Sequence, residues 1–242
     1  MLDRDRMVSQ LNSGYAVTVV EEIPSTNTAL KGMPDASVGT TLLADRQSGG
    51  RGRLGRSFHS PEGGLYLSTL LAADTPQPTC RAAVAAARAI ERLCGANIDL
   101  KWVNDLYLNG RKVAGILAEG VFAPDGSLAA VVLGIGINVG AMEFPADLQS
   151  IATSLANEGY TLTREDLAAA FLNELTTALT DSTAMDEYRR RNLVPGRQIT
   201  VVQGNTTYPA TAIAITDEGY LTVRDANGNN HTLSSGEVSV KL

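Results

Sequence analysis

From Arg46 to Arg56 the chain reads Arg-Gln-Ser-Gly-Gly-Arg-Gly-Arg-Leu-Gly-Arg, so eleven residues hold four arginines and four glycines. Guanidinium groups keep their charge and grip phosphate or carboxylate oxygens two at a time. Glycines let the backbone come close to a ligand and turn its N–H groups toward it. Four like charges at this spacing repel one another, which favours a loop that closes over an anion above a merely solvated turn. Gly50, Gly52 and Gly55 match the bare spacing of a dinucleotide-binding loop, but such a loop opens a helix at its third glycine. Arg56-Ser57-Phe58-His59-Ser60-Pro61-Glu62-Gly63-Gly64 cannot start that helix. A phosphate-binding GxxxxGK[ST] run is absent. A nucleic-acid loop would bring interleaved aromatics and a basic chain, whereas the net charge here is −6.

Two further stretches carry polar groups where strands should be apolar. Lys101-Trp102-Val103-Asn104-Asp105-Leu106-Tyr107-Leu108 and Arg111–Leu117 flank Asn109-Gly110, a strong two-residue hairpin signal. Asn104, Asp105 and Lys112 interrupt its arms, either as edge residues or as the lining of a site. Asp105 close to Lys112 across the hairpin favours the site. Gly134-Ile135-Gly136-Ile137-Asn138 ends an apolar strand. Its glycines mark either a bulge or the close approach of a ligand, and Asn138 offers an amide that donates and accepts.

The elements that must position these residues are legible from periodicity and punctuation. Tyr15–Ile23, Thr40–Ala44, Leu65–Leu71, Ile98–Leu108, Lys112–Val121 and Leu128–Val139 read as strands or strand pairs. The alanine-rich Arg81–Cys94, with Pro76 and Pro78 before it and Gly95 after it, reads as a helix. A second helix starts at a capping box of Thr163 and Asp166, with Leu167, Phe171, Leu175 and Ala178 on one face. Past Pro195-Gly196 come the short strands Gln198–Gln203, Ala210–Ile215, Tyr220–Arg224 and Val238–Lys241. Tight-turn residues such as Asp217-Glu218-Gly219, Asn227-Gly228 and Ser235-Gly236 separate them, as in a small β-barrel. The expected fold is α+β: a mixed sheet flanked by helices over residues 1–192, then a barrel over residues 193–242.

At 242 residues and 44% hydrophobic, the chain can bury a sizeable core. It has no run approaching a membrane span and no secretory leader pattern. Cys80 and Cys94 form no disulfide framework or metal motif, which points to the cytoplasm.

Together these motifs resemble the biotin–protein ligase family. The match runs through Ser25-Thr26-Asn27, Gln47–Arg56, Lys101–Gly115, Gly134–Asn138 and Gly236-Glu237-Val238-Ser239. It departs at Phe58 and Val103, where the family usually has tryptophan and proline. The resemblance implies a catalytic domain akin to class II aminoacyl-tRNA synthetases and lipoate ligases, followed by an SH3-like barrel. It also implies ATP-driven formation of biotinyl-AMP and transfer of biotin to a lysine of a biotin carboxyl carrier domain of acyl-CoA or pyruvate carboxylase. The cofactors implied are biotin and ATP as substrates, with Mg²⁺. The short stretch before Ser25 implies no DNA-binding domain, so the expected partner set holds no DNA and no membrane, and the enzyme works as a monomer or homodimer.

The same resemblance assigns roles. Lys112 stands between the biotin carboxylate and the α-phosphate, and Arg53 and Arg56 sit on the phosphates. Ser25, Thr26, Asn27 and Gln47, with the backbone of Gly50, Arg51 and Gly115, hold biotin. Gly134 and Gly136 floor the pocket, Asn138 faces the nucleotide, and Asp105 orients or deprotonates the incoming amine. The alternatives are a lipoate or octanoate ligase of the same superfamily, or a non-catalytic nucleotide-binding regulator.

Overall fold

The computed structural model describes residues 1–12, 14–203, 206–234 and 237–239. Its larger sheet holds β1 (Ala16–Ile23), β2 (Thr40–Gln47), β3 (Leu65–Ala72), β4 (Asp99–Lys101), β5 (Asp105–Leu108), β6 (Arg111–Phe122) and β7 (Leu128–Ile137). Across the sheet the order is β1-β2-β3-β7-β6-β5-β4, with β1 and β2 parallel and the other neighbours antiparallel. Around it lie α1 (Arg4–Val8), α2 (Thr26–Lys31), α3 (Pro78–Cys94), α4 (Arg164–Thr180) and α5 (Ala184–Arg191). A parallel pair needs a crossover, and α2 with the loop after it supplies one between β1 and β2.

Strand parity explains how one sheet serves both a core and a site. On β7, Val131, Leu133, Ile135 and Ile137 join the main hydrophobic cluster with the residues of α3 and α4. Their alternates point to the other face: Val132 packs with Leu30 and Leu70 beneath α2, and Gly134 and Gly136 line a cavity. On β3 the same alternation sends Leu65, Leu67 and Leu71 into the main cluster and Ser68 toward α2. Both faces are covered, so these strands read as unbroken apolar runs rather than as alternating ones.

The helical layer owes its closeness to alanine. Ala82, Ala83, Ala85, Ala86, Ala87 and Ala89 of α3 are all fully buried, as are Ala168 and Ala169 of α4. α3 starts with Pro78 at its first turn and ends at Gly95 in the left-handed conformation, φ 73°, as the sequence signals require. Thr163 accepts from the Asp166 backbone N–H at 3.2 Å to cap α4. The short helices α1, α2 and α5 were not foreseen. Five, six and eight residues are too few for an apolar period to show.

The smaller sheet is antiparallel: β8 (Gln198–Gln203), β9 (Thr206–Ile215), β10 (Leu221–Asp225), β11 (Asn230–Leu233) and β12 (Glu237–Ser239), in the order β11-β10-β9-β8-β12. Expected strand residues Val240 and Lys241, and the Ser235-Gly236 turn, lie outside the described residues. The turn after β9 ends at Gly219, φ 82°, whose carbonyl accepts the Trp102 indole N–H at 2.9 Å. That bond joins the small sheet to the turn between β4 and β5, where the Trp102–Val103 peptide is cis. Among the described residues, no helix is long and apolar enough to cross a membrane.

Candidate active site

The first wall of the site forms where α2 begins. Ser25 takes the extended conformation and its side chain caps the helix, accepting from Thr28 N–H at 3.4 Å. This turns Thr26 and Asn27 inward. Gln47, at the end of β2, accepts from the Thr26 backbone N–H at 2.9 Å, and its amide nitrogen donates to Ser60 Oγ at 3.1 Å. Ser68 of β3 lies 2.7 Å from Thr26 Oγ1 and donates to Asn27 Oδ1 at 2.6 Å. The Asn27 amide nitrogen donates to the Leu117 carbonyl at 3.1 Å and to the Glu119 carboxylate at 2.9 Å. Ser25, Thr26, Asn27 and Ser68 are all buried. Their polar groups satisfy one another, which holds each donor and acceptor in a fixed direction.

The floor is made of glycine. Gly115 pairs with Gly136, and Leu117 with Gly134, across β6 and β7. Directly opposed residues of an antiparallel pair share a face, so Gly115, Gly134 and Gly136 form one flat patch beside the Leu117 side chain. A side chain there has no room: a Cβ at Gly134 would lie 2.0 Å from Asn27 Oδ1, and one at Gly136 would lie 2.5 Å from the Phe58 ring. Phe58 therefore lies directly against this floor, edge-on to Tyr66 with ring centroids 6.4 Å apart.

The opposite end is charged. Asn109 and Gly110 have φ of 51° and 78°, the left-handed pair that a tight hairpin turn requires. The hairpin folds Lys112 back so that its ammonium lies 2.6 Å from Asp105 Oδ1. Lys112 is held from outside the sheet as well: its N–H donates to the Ile151 carbonyl at 2.8 Å, and its carbonyl accepts from Thr153 N–H at 2.9 Å. Glu158 ties down the hairpin tip by accepting from Asn109 and Thr153 and pairing with Arg111. The Thr153 hydroxyl, then the Asn109 amide, hold its carboxyl below the usual range. Tyr107 stands beside this pair; burial first, and the Asp105 charge second, push its phenol up to about 12. It therefore remains a neutral hydroxyl at neutral pH.

The arginine loop covers the cavity from above. It closes on itself through the Arg51–Ser57 bridge and a 3-10 turn at Arg53–Gly55, with Leu54 at φ 55°. Its charges have different surroundings. Arg46 pairs with Glu22 at 2.8 Å, and Arg51 with Glu119 at 3.3 Å, so part of the repulsion expected from the sequence is already offset within the fold. Arg53 donates to Asn104 Oδ1 at 3.4 Å and, like Arg56, lines the cavity.

The space so enclosed measures about 550 Å³, a size that suits a small-molecule site. It brings together Ser25, Thr26, Asn27, Gln47, Arg51, Arg53, Arg56, Asp105, Lys112, Gly115, Gly134, Gly136 and Asn138. Gly50 is the correction. It is buried behind the wall, where a Cβ would meet the Phe58 carbonyl and Ser60 Oγ at 2.4 Å. Its carbonyl accepts from Phe58 N–H at 2.9 Å, so it closes the loop rather than lining the cavity. Asn138 donates to the Thr153 carbonyl at 2.9 Å, while its Oδ1 is buried without a hydrogen-bond partner among the described residues. Ser68, Tyr107 and Glu119 escaped the sequence reading. A polar Ser68-Thr69 pair inside an apolar strand was the available signal for the first.

Residues 19–138 match the model of the biotin/lipoate A/B protein ligase family, and residues 195–241 match the biotin protein ligase C-terminal domain. A biotin--[acetyl-CoA-carboxylase] ligase of Mycobacterium tuberculosis is 30% identical over 255 aligned residues, covering 97% of this chain and 92% of that protein. The bifunctional ligase/repressor BirA of Bacillus subtilis is 45% identical over 130 residues. That match covers 50% of this chain and only 40% of the relative's length. Among solved structures, a biotin protein ligase from Aquifex aeolicus in complex with biotin and ATP superposes with a TM-score of 0.79 at 28% identity, covering 93% of this chain and 98% of that one.

Proposed function

The chain belongs to the biotin protein ligases of the biotin/lipoate A/B protein ligase family, and from that premise we propose that it joins biotin to ATP as biotinyl-AMP and passes biotin to a lysine of a carrier domain. The observation that carries this reading is the polarity of the cavity. A neutral hydrogen-bonding wall at Thr26, Asn27 and Gln47 and a cationic end at Lys112 and Arg53 share one glycine floor. A cyclic urea with a carboxylate tail and a nucleotide phosphate would fit those two ends.

In the first step a carboxylate oxygen of biotin attacks the α-phosphorus, and pyrophosphate leaves. Two anions must approach, so the groups that matter are those that neutralise charge where it builds up. Lys112 would touch both the carboxylate and the α-phosphate, and Arg53 and Arg56 would hold the phosphates in line. In the second step a neutral lysine amine attacks the acyl carbon and AMP leaves. Asp105 would orient that amine or take its proton. Ser25, Asn27 and the Arg51 and Gly115 backbone would complete the biotin contacts, Gly134 and Gly136 would admit it closely, and Asn138 would meet the nucleotide.

Mg²⁺ fits this site as an ion carried in by ATP. Asp105 is the one acid among the described residues that line the cavity, and no group of three metal-ligating side chains is found among the described residues. The nucleotide phosphates, together with Asp105, would hold the ion, whose chemistry is to offset phosphate charge. We take the carrier to be the biotin carboxyl carrier domain of an acyl-CoA or pyruvate carboxylase. We place the catalytic unit at residues 1–192 and the second domain at 193–242. The free Cys80 and Cys94 support a reducing, cytoplasmic setting. The test is exchange of labelled pyrophosphate into ATP. It should depend on biotin and not proceed with lipoate; equal exchange with lipoate would move the protein to the lipoate side of its family.

A further inference from the structure

Glu119 lies on the cavity face of β6, two residues beyond Leu117 and four beyond Gly115, at the far end of the glycine floor. It is largely buried, with 16% of its side chain exposed. A carboxylate in such a place must be compensated, and its partners come from two separate elements. From α2, Asn27 donates to Oε2 at 2.9 Å and the Lys31 ammonium stands 3.6 Å from Oε1. From the arginine loop, the Arg51 guanidinium reaches Oε1 at 3.3 Å and also donates to Thr28 Oγ1 at 3.3 Å.

Building on the ligase reading, we propose that Glu119 is a positioning residue that ties the start of the arginine loop to the biotin wall. It acts on both sides at once. With one donor on Glu119 and the other on the Leu117 carbonyl, the Asn27 amide cannot turn over without losing both bonds, so its oxygen stays against Ser68 and Gly134. With Arg51 anchored, the Gly52–Arg56 part of the loop hangs from a fixed point beside that wall. Arg51 is thus the loop's tether rather than one of its phosphate contacts. The seating of biotin on the wall and the placement of the loop become one event.

Two variants test this, and Arg51 is half-exposed, so changing it does not put folding at risk. Glu119→Gln keeps the shape and removes the charge; Arg51→Lys keeps the charge and loses the fork. In the ligand-free protein, both should speed amide hydrogen exchange across residues 49–56 by about tenfold, as expected for a lost local restraint. In pyrophosphate exchange, both should raise the KM for biotin by about tenfold while moving the KM for ATP by less than about twofold. The double variant should be little worse than either single one, because both remove the same link. Unchanged hydrogen exchange in both variants overturns the tether whatever the substrate, and so does a KM for ATP that rises as much as that for biotin. Wild-type protein that ignores biotin would instead sink the ligase reading and leave the hydrogen-exchange result standing.

Discussion

At the α2 end of the cavity, Thr26, Asn27, Gln47 and Ser68 hydrogen-bond to one another. At the hairpin end, Lys112 leans on the Asp105 carboxylate, and Arg53 and Arg56 arrive on a loop. The first end recognises by direction: each group is already aimed, and a ligand must match the arrangement or leave buried dipoles unpaired. The second works by charge, which acts over longer distances and tolerates some displacement. One end should therefore govern which molecule binds, and the other how fast it reacts. Substitutions at the two ends should separate in kinetics.

The largest expected effect is at the charged end. Lys112→Ala should lower biotin-dependent pyrophosphate exchange by ~10²–10³ while leaving transfer from pre-formed biotinyl-AMP much less affected. Normal exchange in this variant would break the comparison outright. Next comes Asp105→Ala, which should slow carrier labelling by ~10² and exchange by clearly less; equal loss in both assays would make Asp105 a structural partner of Lys112 instead. The smallest is at the neutral end. Ser68→Ala leaves Asn27 Oδ1 and Thr26 Oγ1 short of a partner, at a cost of about 1–2 kcal/mol. The KM for biotin should rise about tenfold with kcat retained, measured with ATP saturating. A fall in kcat alone would show that the wall, too, acts on the reaction.

The two ends also differ in how well the sequence announced them. The charged end was legible because its chemistry is local. Arg53 and Arg56 among glycines, and Asp105 and Lys112 across an Asn-Gly turn, are each contained within a few residues. The wall was legible only in part. Ser25, Thr26 and Gln47 came from the family resemblance, whereas Ser68 and Glu119 join them through strand pairing alone. No short window of sequence contains β3 and β6 beside α2. Gly50 was misplaced for a related reason: a glycine-rich run shows that the backbone must come close to something, but not whether that is a ligand or the chain's own Phe58 carbonyl. The strands of the main sheet and the helices α3 and α4 followed from apolar runs and clear stop signals. The helix α2, which begins at the wall itself, is a capped helix of six residues and left almost no periodic trace.

The bond from Trp102 to the Gly219 carbonyl bears on how this molecule can be recombined. The indole belongs to the turn that carries Asn104 and Asp105, and Val238 of the small sheet reaches the cavity. The C-terminal sheet is therefore not a cartridge to be exchanged freely between relatives. A graft keeps its register with the reaction centre only if the incoming piece presents a backbone acceptor where residue 219 stands and an apolar side chain where Val238 stands. The seam for any chimera is better judged by those two points than by the linker at Pro195-Gly196.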